Sequence, residues 1–135
     1  MSFQFLQKVL FKHCDPAGIV FYPRYFEMVN DCVEAFFDEV LETPFEELHK
    51  SGGVPTARIS SRFTKPSRHG DQLVLTLHVT NVGCSSMTYE MQAHADDTLR
   101  FETTATLVHV NTAGRPTPWP ASTKARLHMQ KDVPA

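Results

Sequence analysis

The spacing of hydrophobic residues changes near the start of the chain. Between Phe3 and Phe11, apolar side chains alternate with polar ones and share one face of an extended segment, which predicts a first β-strand. From Pro23 to Val40, apolar residues instead recur at the three- and four-residue spacing of one helix face. The pattern therefore predicts a strand, a connecting loop and one long amphipathic helix with proline in its first turn.

A short helix and four further strands follow. Thr43-Pro44-Phe45-Glu46 has the form of a capping box with proline at the first helical position, and Gly52 and Gly53 are suited to end the helix that it starts. β-Branched and alternating residues predict strands at 56–64, 72–82, 86–95 and 98–110. The proline-rich tail is predicted to close with a short helix around 121–130.

Short turns join the predicted strands. Gly83-Cys84-Ser85 and Asp96-Asp97 suit tight antiparallel hairpins, and Lys65 to Asp71 suits a longer surface turn. The resulting fold class is α+β, a long helix packed on a five-stranded antiparallel sheet, in a single domain of residues 1–135. Apolar residues lie on both faces of strand 72–82, so we expect the protein to self-associate.

Composition and charge exclude several classes of protein. The chain has 135 residues and a formal charge of -2, with acidic and basic residues interspersed, so it offers no broad cationic face to a nucleic acid. No stretch approaches the roughly 20 apolar residues that cross a membrane, and the alternating N-terminus predicts a strand rather than a secretory signal. Three cysteines without a CxxC pair indicate neither a disulfide framework nor a zinc site, and we expect a cytoplasmic protein.

The segment from His13 to Pro23, HCDPAGIVFYP, is the strongest candidate for a functional site. It holds Asp15 in a loop made rigid by Pro16 and Gly18, directly ahead of the long helix. A helix start presents free N–H groups and a partial positive charge, which suit the oxyanion that forms when a carbonyl is attacked. Asp15 would then be a nucleophile or the base that activates water. The alternative is that Asp15 only fixes the turn, because Asp before Pro favours turns.

The residues next to Asp15 offer further candidates. His13 is either a catalytic group or an ordinary hydrogen-bonded side chain. Cys14 cannot easily form a nucleophilic dyad with His13, because adjacent side chains of an extended segment point in opposite directions. The other histidines lack the spacing of metal ligands, so we expect no metal site.

The same segment resembles a known family. HCDPAGIVFYPRYFEMVN is similar to the DCDPAGIV-type loop and Y-P-x-Y helix start of the 4-hydroxybenzoyl-coenzyme A thioesterase family. The RFTKPSRHGDQL segment, the GRP tail and the order of predicted elements also resemble that family, over roughly residues 3 to 120. The resemblance implies a hot-dog fold, in which an antiparallel sheet wraps a helix. It also implies hydrolysis of an acyl- or aroyl-coenzyme A thioester, a reaction for which we expect no metal and no cofactor.

The resemblance implies roles for individual residues and for subunits. Asp15 falls on the family's catalytic aspartate, and Tyr22 falls on the residue whose backbone amide holds the thioester oxygen. Gly18 falls on a glycine that lets the chain approach the acyl group closely. Family members pair so that active sites lie at subunit interfaces, and dimers often pair again. A homodimer that assembles into a homotetramer is therefore expected.

Some positions depart from the family pattern. Many related thioesterases carry tyrosine, threonine and histidine where this chain has Phe11, Cys14 and Phe21, which places it closer to the benzoyl-type branch. Phe21, Tyr22 and Phe26, near the start of the helix, indicate an aromatic or medium-length acyl group.

Further substrate contacts are expected around the strand at 56–64. Ser60 and Thr64 belong to the strand that in hot-dog dimers runs near the partner's site, where a hydroxyl could position water. Some relatives bind the coenzyme phosphates with a basic cluster that this chain lacks at its Gly83-Cys84-Ser85 turn. The basic residues that could replace this cluster are Arg58, Arg62, Lys65 and Arg68.

Two other functions use the same scaffold. A hot-dog hydratase or dehydratase would need a histidine together with a carboxylate in the site, whereas the D-P-A-G loop carries only Asp15. An enoyl-thioester hydration assay separates that function from hydrolysis. A non-catalytic acyl-coenzyme A binding protein would bind the thioester without turnover.

Overall fold

The computed structural model describes residues 2–131, so residue 1 and residues 132–135 of the predicted domain lie outside it. The helices are α1 (Pro23–Glu39), α2 (Phe45–Leu48) and α3 (Ala121–Gln130), and a 3-10 turn occupies Phe11–His13. The strands are β1 (Ser2–Lys8), β2 (Gly52–Gly53), β3 (Thr56–Phe63), β4 (Gln72–Val82), β5 (Ser86–Ala95), β6 (Thr98–Val108) and β7 (Val110–Asn111). No helix within this range is long and apolar enough to cross a membrane.

Five strands form one antiparallel sheet in the order β1-β4-β5-β6-β3, and β1 and β3 are its edges. β2 and β7 pair separately as a two-stranded ribbon. The helix α1 contacts β1 and β4 and buries one apolar stripe against the sheet. This is the α+β arrangement that the hydrophobic pattern predicts, and the short helix expected around 121–130 is also present as α3.

The core lies between α1 and the inner face of the sheet. Strand alternation puts every second residue on that face, so the central strands carry fully buried and half-exposed residues in turn. The most completely buried residues include Met28, Cys32, Phe36 and Phe37 from α1, and Leu73, Leu75, Met87, Met91 and Phe101 from the sheet. Val74, on the outer face, stays half-buried. Val82 faces the core instead, because the register of β4 shifts between Val79 and Asn81 and pairs Val82 with the buried Met87.

The prediction that Phe11 shares the apolar face of the first strand is wrong. β1 ends at Lys8, and the chain then turns, because the N–H of Leu10 donates to Nδ1 of His13 at 2.9 Å. Phe11 falls inside the resulting 3-10 turn and is 80% exposed. The alternation of apolar and polar residues cannot show where a strand ends when a hydrogen bond to a side chain turns the chain there.

The predicted capping box at Thr43 is also wrong. Pro44 is the N-cap residue of α2, and the Thr43 hydroxyl donates to the carbonyl of Leu41 at 3.0 Å instead. The glycines expected to end that helix form β2 instead and pair with β7. A Cβ at Gly52 would overlap the carbonyl oxygen of Val110 on β7. Gly52 is therefore needed for the close approach of two strands, whereas a Cβ at Gly53 would make only ordinary contacts.

The hairpin predicted at Asp96-Asp97 is confirmed. Both aspartates have positive φ, 51° and 60°, which is the pattern of a two-residue type I′ turn between β5 and β6. The last strand is shorter than predicted, because the chain leaves β6 after Val108 and pairs with β2 from Val110.

Candidate active site

The segment between Cys14 and Val20 folds into a small hairpin ahead of α1. The N–H of Asp15 donates to the carbonyl of Ile19 at 3.0 Å, and that of Gly18 donates to the carbonyl of Asp15 at 2.9 Å. Gly18 has φ of +82°, so the loop requires a residue that adopts the left-handed region without strain. The loop therefore holds Asp15 on an ordered backbone.

The Asp15 side chain is half-buried, and one of its two oxygens is hydrogen-bonded within the turn. Its Oδ1 accepts a hydrogen bond from the N–H of Ala17 at 2.9 Å, as expected of an aspartate that fixes a turn. Its Oδ2 makes no hydrogen bond within residues 2–131. The two interpretations of Asp15 are thus compatible, because one oxygen orients the carboxylate and the other stays free to react.

The start of α1 leaves one backbone donor unused. Arg24 and Tyr25 donate to the carbonyls of Phe21 and Tyr22 at 2.8 and 3.1 Å, and the N–H of Phe21 donates to the carbonyl of His13 at 2.9 Å. Pro23 has no N–H, and no side chain caps the helix. The N–H of Tyr22 has no acceptor in the part of the chain that the structure describes. A free N–H beside the positive end of a helix dipole suits a negatively charged oxygen.

An aromatic cluster supports this helix start. The ring of Tyr25 stacks on that of Phe63 with centroids 5.6 Å apart and also meets Phe101 at 4.7 Å. Tyr22 packs edge-on against Phe63 at 5.9 Å. An open basin of about 520 Å³ adjoins the cluster, and Asp15 is not among its lining residues. The basin is lined by Ile19, Val20, Tyr22, Tyr25, Phe63, Thr64, Lys65 and Pro66.

The turn at 66–71 is hydrogen-bonded to the end of the Cys14–Val20 hairpin and holds it in place. The N–H of Val20 donates to the carbonyl of Ser67 at 2.9 Å. Arg100 of β6 donates to the Ser67 hydroxyl at 3.2 Å and to Asp71 Oδ2 at 2.7 Å, with only 11% of its side chain exposed. The backbone N–H of Arg68, followed by the Arg100 guanidinium, lowers the pKa of Asp71. The charged pair therefore anchors a turn that the sequence alone presents as an ordinary surface loop.

A second, larger cleft opens between α1 and the β3 edge. It has a volume of about 620 Å³, with Tyr89 and Leu107 from the inner face of the sheet among its lining residues. Phe26, Val29 and Val33 line it from α1, and Asn30 and His49 add polar groups. Pockets of this size and apolar character are typical of small-molecule sites.

The sequence matches the profile of the thioesterase-like superfamily over residues 9–127. The chain belongs to this superfamily. No curated protein sequence matches the chain significantly. The family membership confirms the predicted class of enzyme, a thioester hydrolase.

Solved structures of thioesterases share the fold of this superfamily member. A 1,4-dihydroxy-2-naphthoyl-CoA thioesterase from Synechocystis superposes with a TM-score of 0.87 at 16% identity, covering 95% of this chain and 96% of that one. The 4-hydroxybenzoyl-CoA thioesterase of Pseudomonas sp. strain CBS-3 gives 0.86 at 20% identity, covering 93% and 98%. A gentisyl-coenzyme A thioesterase gives 0.83 at 24%, covering 90% and 98%. The predicted hot-dog fold is thereby confirmed.

The structure brings some of the predicted site residues of this thioesterase-like protein together and separates others. Tyr22, Thr64 and Lys65 border the basin, whereas Phe26 lines the cleft. The Thr64 hydroxyl donates to the carbonyl of Leu99 at 2.7 Å. The Phe21 ring is exposed and contacts that of Tyr22 at 5.7 Å.

Ser60 and Arg62 border a different groove. Alternation along β3 places Ile59 and Phe63 on the side of α1 and these two residues on the other side. There they line a polar groove of about 350 Å³ together with Glu90, Gln92, Glu102 and Thr104. Within one chain, Ser60 and Arg62 are therefore separated from the helix start.

His13 supports the loop. It is buried, and its Nδ1 accepts the N–H of Leu10, so that nitrogen is not available as a base. Burial, followed by the nearby charge of Lys12, lowers the pKa of His13. Within residues 2–131, no three histidine, cysteine or carboxylate side chains are grouped to hold a metal ion.

Sequence reasoning missed four residues near the hairpin and the cleft, which are Arg100, Asp71, Tyr25 and Tyr89. Arg100 could have been suspected, because a charged residue occupies a buried position of an otherwise apolar and threonine-rich strand. No sequence pattern pairs it with Asp71, since the two lie on different elements and meet only in the folded chain.

Proposed function

We propose that the protein hydrolyses an acyl- or aroyl-coenzyme A thioester to the free acid and coenzyme A, with Asp15 as the reacting carboxylate. The observation that carries this proposal is that one short segment holds both a turn-anchored carboxylate and, at the start of the next helix, a backbone N–H without an acceptor among residues 2–131. The superfamily membership fits such a reaction.

The reaction has two possible first steps. Asp15 either attacks the thioester carbonyl or removes a proton from the water that attacks it. In the first case the coenzyme thiolate leaves and water then cleaves the resulting anhydride. In the second case the water oxygen enters the product acid directly, the C–S bond breaks, and the proton taken by Asp15 passes to the leaving thiolate. In both cases negative charge develops on the carbonyl oxygen. The Tyr22 N–H would stabilise that charge, and one such donor is commonly worth about 3 kcal/mol.

The acyl group and the coenzyme require separate contacts. The cleft beside Phe26 offers the apolar volume for an acyl or aroyl group, and Gly18 and Phe21 adjoin the helix start. Lys65 borders the basin beside Tyr22, so its ammonium group is a candidate partner for the coenzyme phosphates. We assign Thr64 to the same region, and Ser60 and Arg62 to contacts with substrate across a subunit interface.

We further propose that a second copy of the chain pairs along β3, giving a homodimer that assembles into a homotetramer. β3 is an eight-residue edge strand with exposed Ile59 and Phe63, each 43% accessible. A long edge with unpaired backbone groups and apolar side chains favours strand pairing. Three free cysteines, Cys14, Cys32 and Cys84, fit a reducing cytoplasm.

The test is Asp15→Asn, assayed by thiol release from aromatic, short and long acyl-coenzyme A thioesters. We expect a fall in kcat of about 10³-fold, because the variant keeps an oxygen for the turn but loses the nucleophile or base. Asp38→Asn, an exposed change on α1, is the matched control. Unchanged kcat in Asp15→Asn would exclude the assigned role, and enoyl-thioester hydration by the wild type would favour a hydratase. Tight thioester binding without turnover by the wild type would instead favour a binding protein.

A further inference from the structure

His13 is hydrogen-bonded to both ends of the segment that carries the candidate site. Its ring Nδ1 accepts the N–H of Leu10 at 2.9 Å, and its backbone carbonyl accepts the N–H of Phe21 at 2.9 Å. Asp15 follows His13 by two residues, and Phe21 directly precedes Tyr22 at the start of α1. The position of His13 therefore affects both the carboxylate and the Tyr22 amide.

The bond at Nδ1 stabilises the 3-10 turn at Phe11–His13. The N–H of His13 donates to the carbonyl of Leu10 at 3.0 Å, so these two residues are hydrogen-bonded to each other in both directions. The imidazole is buried, at 4% exposure, and is packed on all sides. It cannot turn out to solvent unless the turn opens.

His13 differs from the other histidines whose rings are hydrogen-bonded in the described part of the chain. The Nδ1 atoms of His49 and His109 lie 2.7 and 3.0 Å from the carbonyls of Phe45 and Thr117, so each carries a proton and donates it. The Nδ1 of His13 instead meets an N–H and must be unprotonated. A second proton leaves the bonds of His49 and His109 intact, whereas at His13 it sets two donors against each other.

The surroundings of His13 favour its neutral form. Burial, followed by the charge of Lys12 on the same turn, lowers the pKa of the imidazole. The charged groups that act on it from α1 are Arg24, Glu27 and Asp31, of which the two carboxylates oppose the shift. His13 is therefore neutral at pH 7 and takes up a proton only below its ordinary value of about 6.5.

We propose that His13 is a positioning residue for the reaction, whose neutral imidazole holds the loop that carries Asp15 against the start of α1. This proposal rests on the proposed function and deepens it by naming how pH regulates the same site. When the ring takes up a proton, the imidazolium repels the Leu10 N–H and the turn loosens. The number of turnovers per second then falls as the pH falls through the folded-state pKa of His13, whereas KM, which depends on the apolar cleft, changes little.

The experiment separates the hydrogen-bond acceptor from the titrating group. His13→Asn places an amide oxygen near the position of Nδ1 but cannot take up a proton, whereas His13→Leu removes the acceptor. We measure kcat and KM between about pH 5 and pH 8 on an acyl-coenzyme A thioester that the wild type hydrolyses. The wild type should lose kcat on the acid side, and His13→Asn should keep kcat at neutral pH within about threefold and lack this acid limb. His13→Leu should lose about tenfold in kcat at every pH, with KM nearly unchanged.

His69→Asn is the matched control for a histidine that titrates beside the same turn. The His69 ring is exposed and contacts that of Phe11, with centroids 6.0 Å apart. The acid limb should persist in this variant. Its disappearance there would assign the limb to His69 and overturn the role of His13.

A second measurement does not depend on turnover. In protein labelled with ¹⁵N-histidine and ¹⁵N-tyrosine, the Tyr22 amide of the wild type should shift with pH at the midpoint of the His13 ring, and in His13→Asn it should not. A Tyr22 amide that does not follow His13, or an acid limb that remains in His13→Asn, overturns the proposal. If that limb remains while Asp15→Asn abolishes turnover, the proposed function stands without this role of His13. If the Tyr22 amide follows His13 in a protein that hydrolyses no thioester, the proposed function fails and the link between His13 and the helix start stands.

Discussion

The Asp15 hairpin and the apolar cleft both adjoin the first half of α1, but different parts of the chain define them. In the hairpin, backbone hydrogen bonds fix the geometry, and the Tyr22 N–H is the donor left unused among the described residues. In the cleft, apolar side chains form most of the wall, and Asn30, His49 and Tyr89 add polar groups. Under the proposed function, the hairpin segment supplies the reacting carboxylate and the amide donor, and the side chains of the cleft choose the acyl group.

The largest structural effect should come from Arg100→Met, which removes the support of the hairpin and leaves the cleft intact. The change breaks a largely buried ion pair and leaves Asp71 with the backbone N–H of Arg68 but no charged partner, so we expect a loss of about 3 kcal/mol in the free energy of unfolding. Chemical denaturation measures this loss, and the exposed Arg115→Met is the control.

The same variant should lower kcat more than it raises KM. Ser67 would lose a hydrogen bond and hold Val20 less firmly, while the cleft keeps its shape. A change confined to KM would contradict the link between Arg100 and the helix start.

A smaller effect is expected from Gly18→Ala. The positive φ of Gly18 costs an L-residue about 1–2 kcal/mol, although a Cβ there would meet no atom within 4 Å. Gly114 has φ of +77° and equally open surroundings, so Gly114→Ala is a matched control. Both variants should lose similar stability in thermal unfolding, but only Gly18→Ala should change kcat or KM. Equal kinetics in the two would show that Gly18 serves the turn alone.

Loss of the hydroxyl should change the stability of the protein differently at the two buried tyrosines. Tyr25→Phe removes a hydrogen bond to Ser67 and should cost about 1 kcal/mol. Tyr89→Phe removes a hydroxyl for which no hydrogen bond is found among residues 2–131, and it should leave Tm unchanged or slightly higher. A clear loss of stability in Tyr89→Phe would indicate that the fold itself satisfies this hydroxyl.

The smallest predicted effect is on the pH dependence of thermal stability. The pKa of His13 is lowered in the folded chain, so the unfolded chain binds the proton more readily. The contribution of His13 is complete above its unfolded pKa of about 6.5 and is lost as pH falls towards the folded value. His13→Gln should therefore remove part of the fall in Tm between pH 7 and pH 5. Parallel Tm curves for variant and wild type would contradict this account.

Local patterns predicted most of the fold. The helix α1 and the strands from β3 to β6 follow from residue spacing, because burial of one face imposes a period of 3.6 or 2 on the sequence. The family resemblance singled out Asp15 and Tyr22, and the structure adds how a turn orients the carboxylate and leaves the amide free.

The remainder depends on tertiary contacts that leave no periodic pattern. Phe11 was wrongly placed on the first strand, because a hydrogen bond to the His13 side chain turns the chain after β1. Gly52 was wrongly placed at a helix end, because its role is to leave room for the neighbouring strand β7. Tyr89 looks like any inward residue of a strand, and its position in the wall of the cleft becomes visible only in the folded chain.

The central claim is that Asp15 and the Tyr22 amide act on the same thioester carbonyl. The chain has three tyrosines, so ¹⁵N-tyrosine labelling of Asp15→Asn protein gives three backbone amide resonances, which Tyr22→Phe assigns. Adding a thioester that the wild type hydrolyses should move the Tyr22 amide proton downfield, whereas a thioether analogue without the carbonyl should not. An unchanged Tyr22 resonance in the saturated complex would contradict the claim.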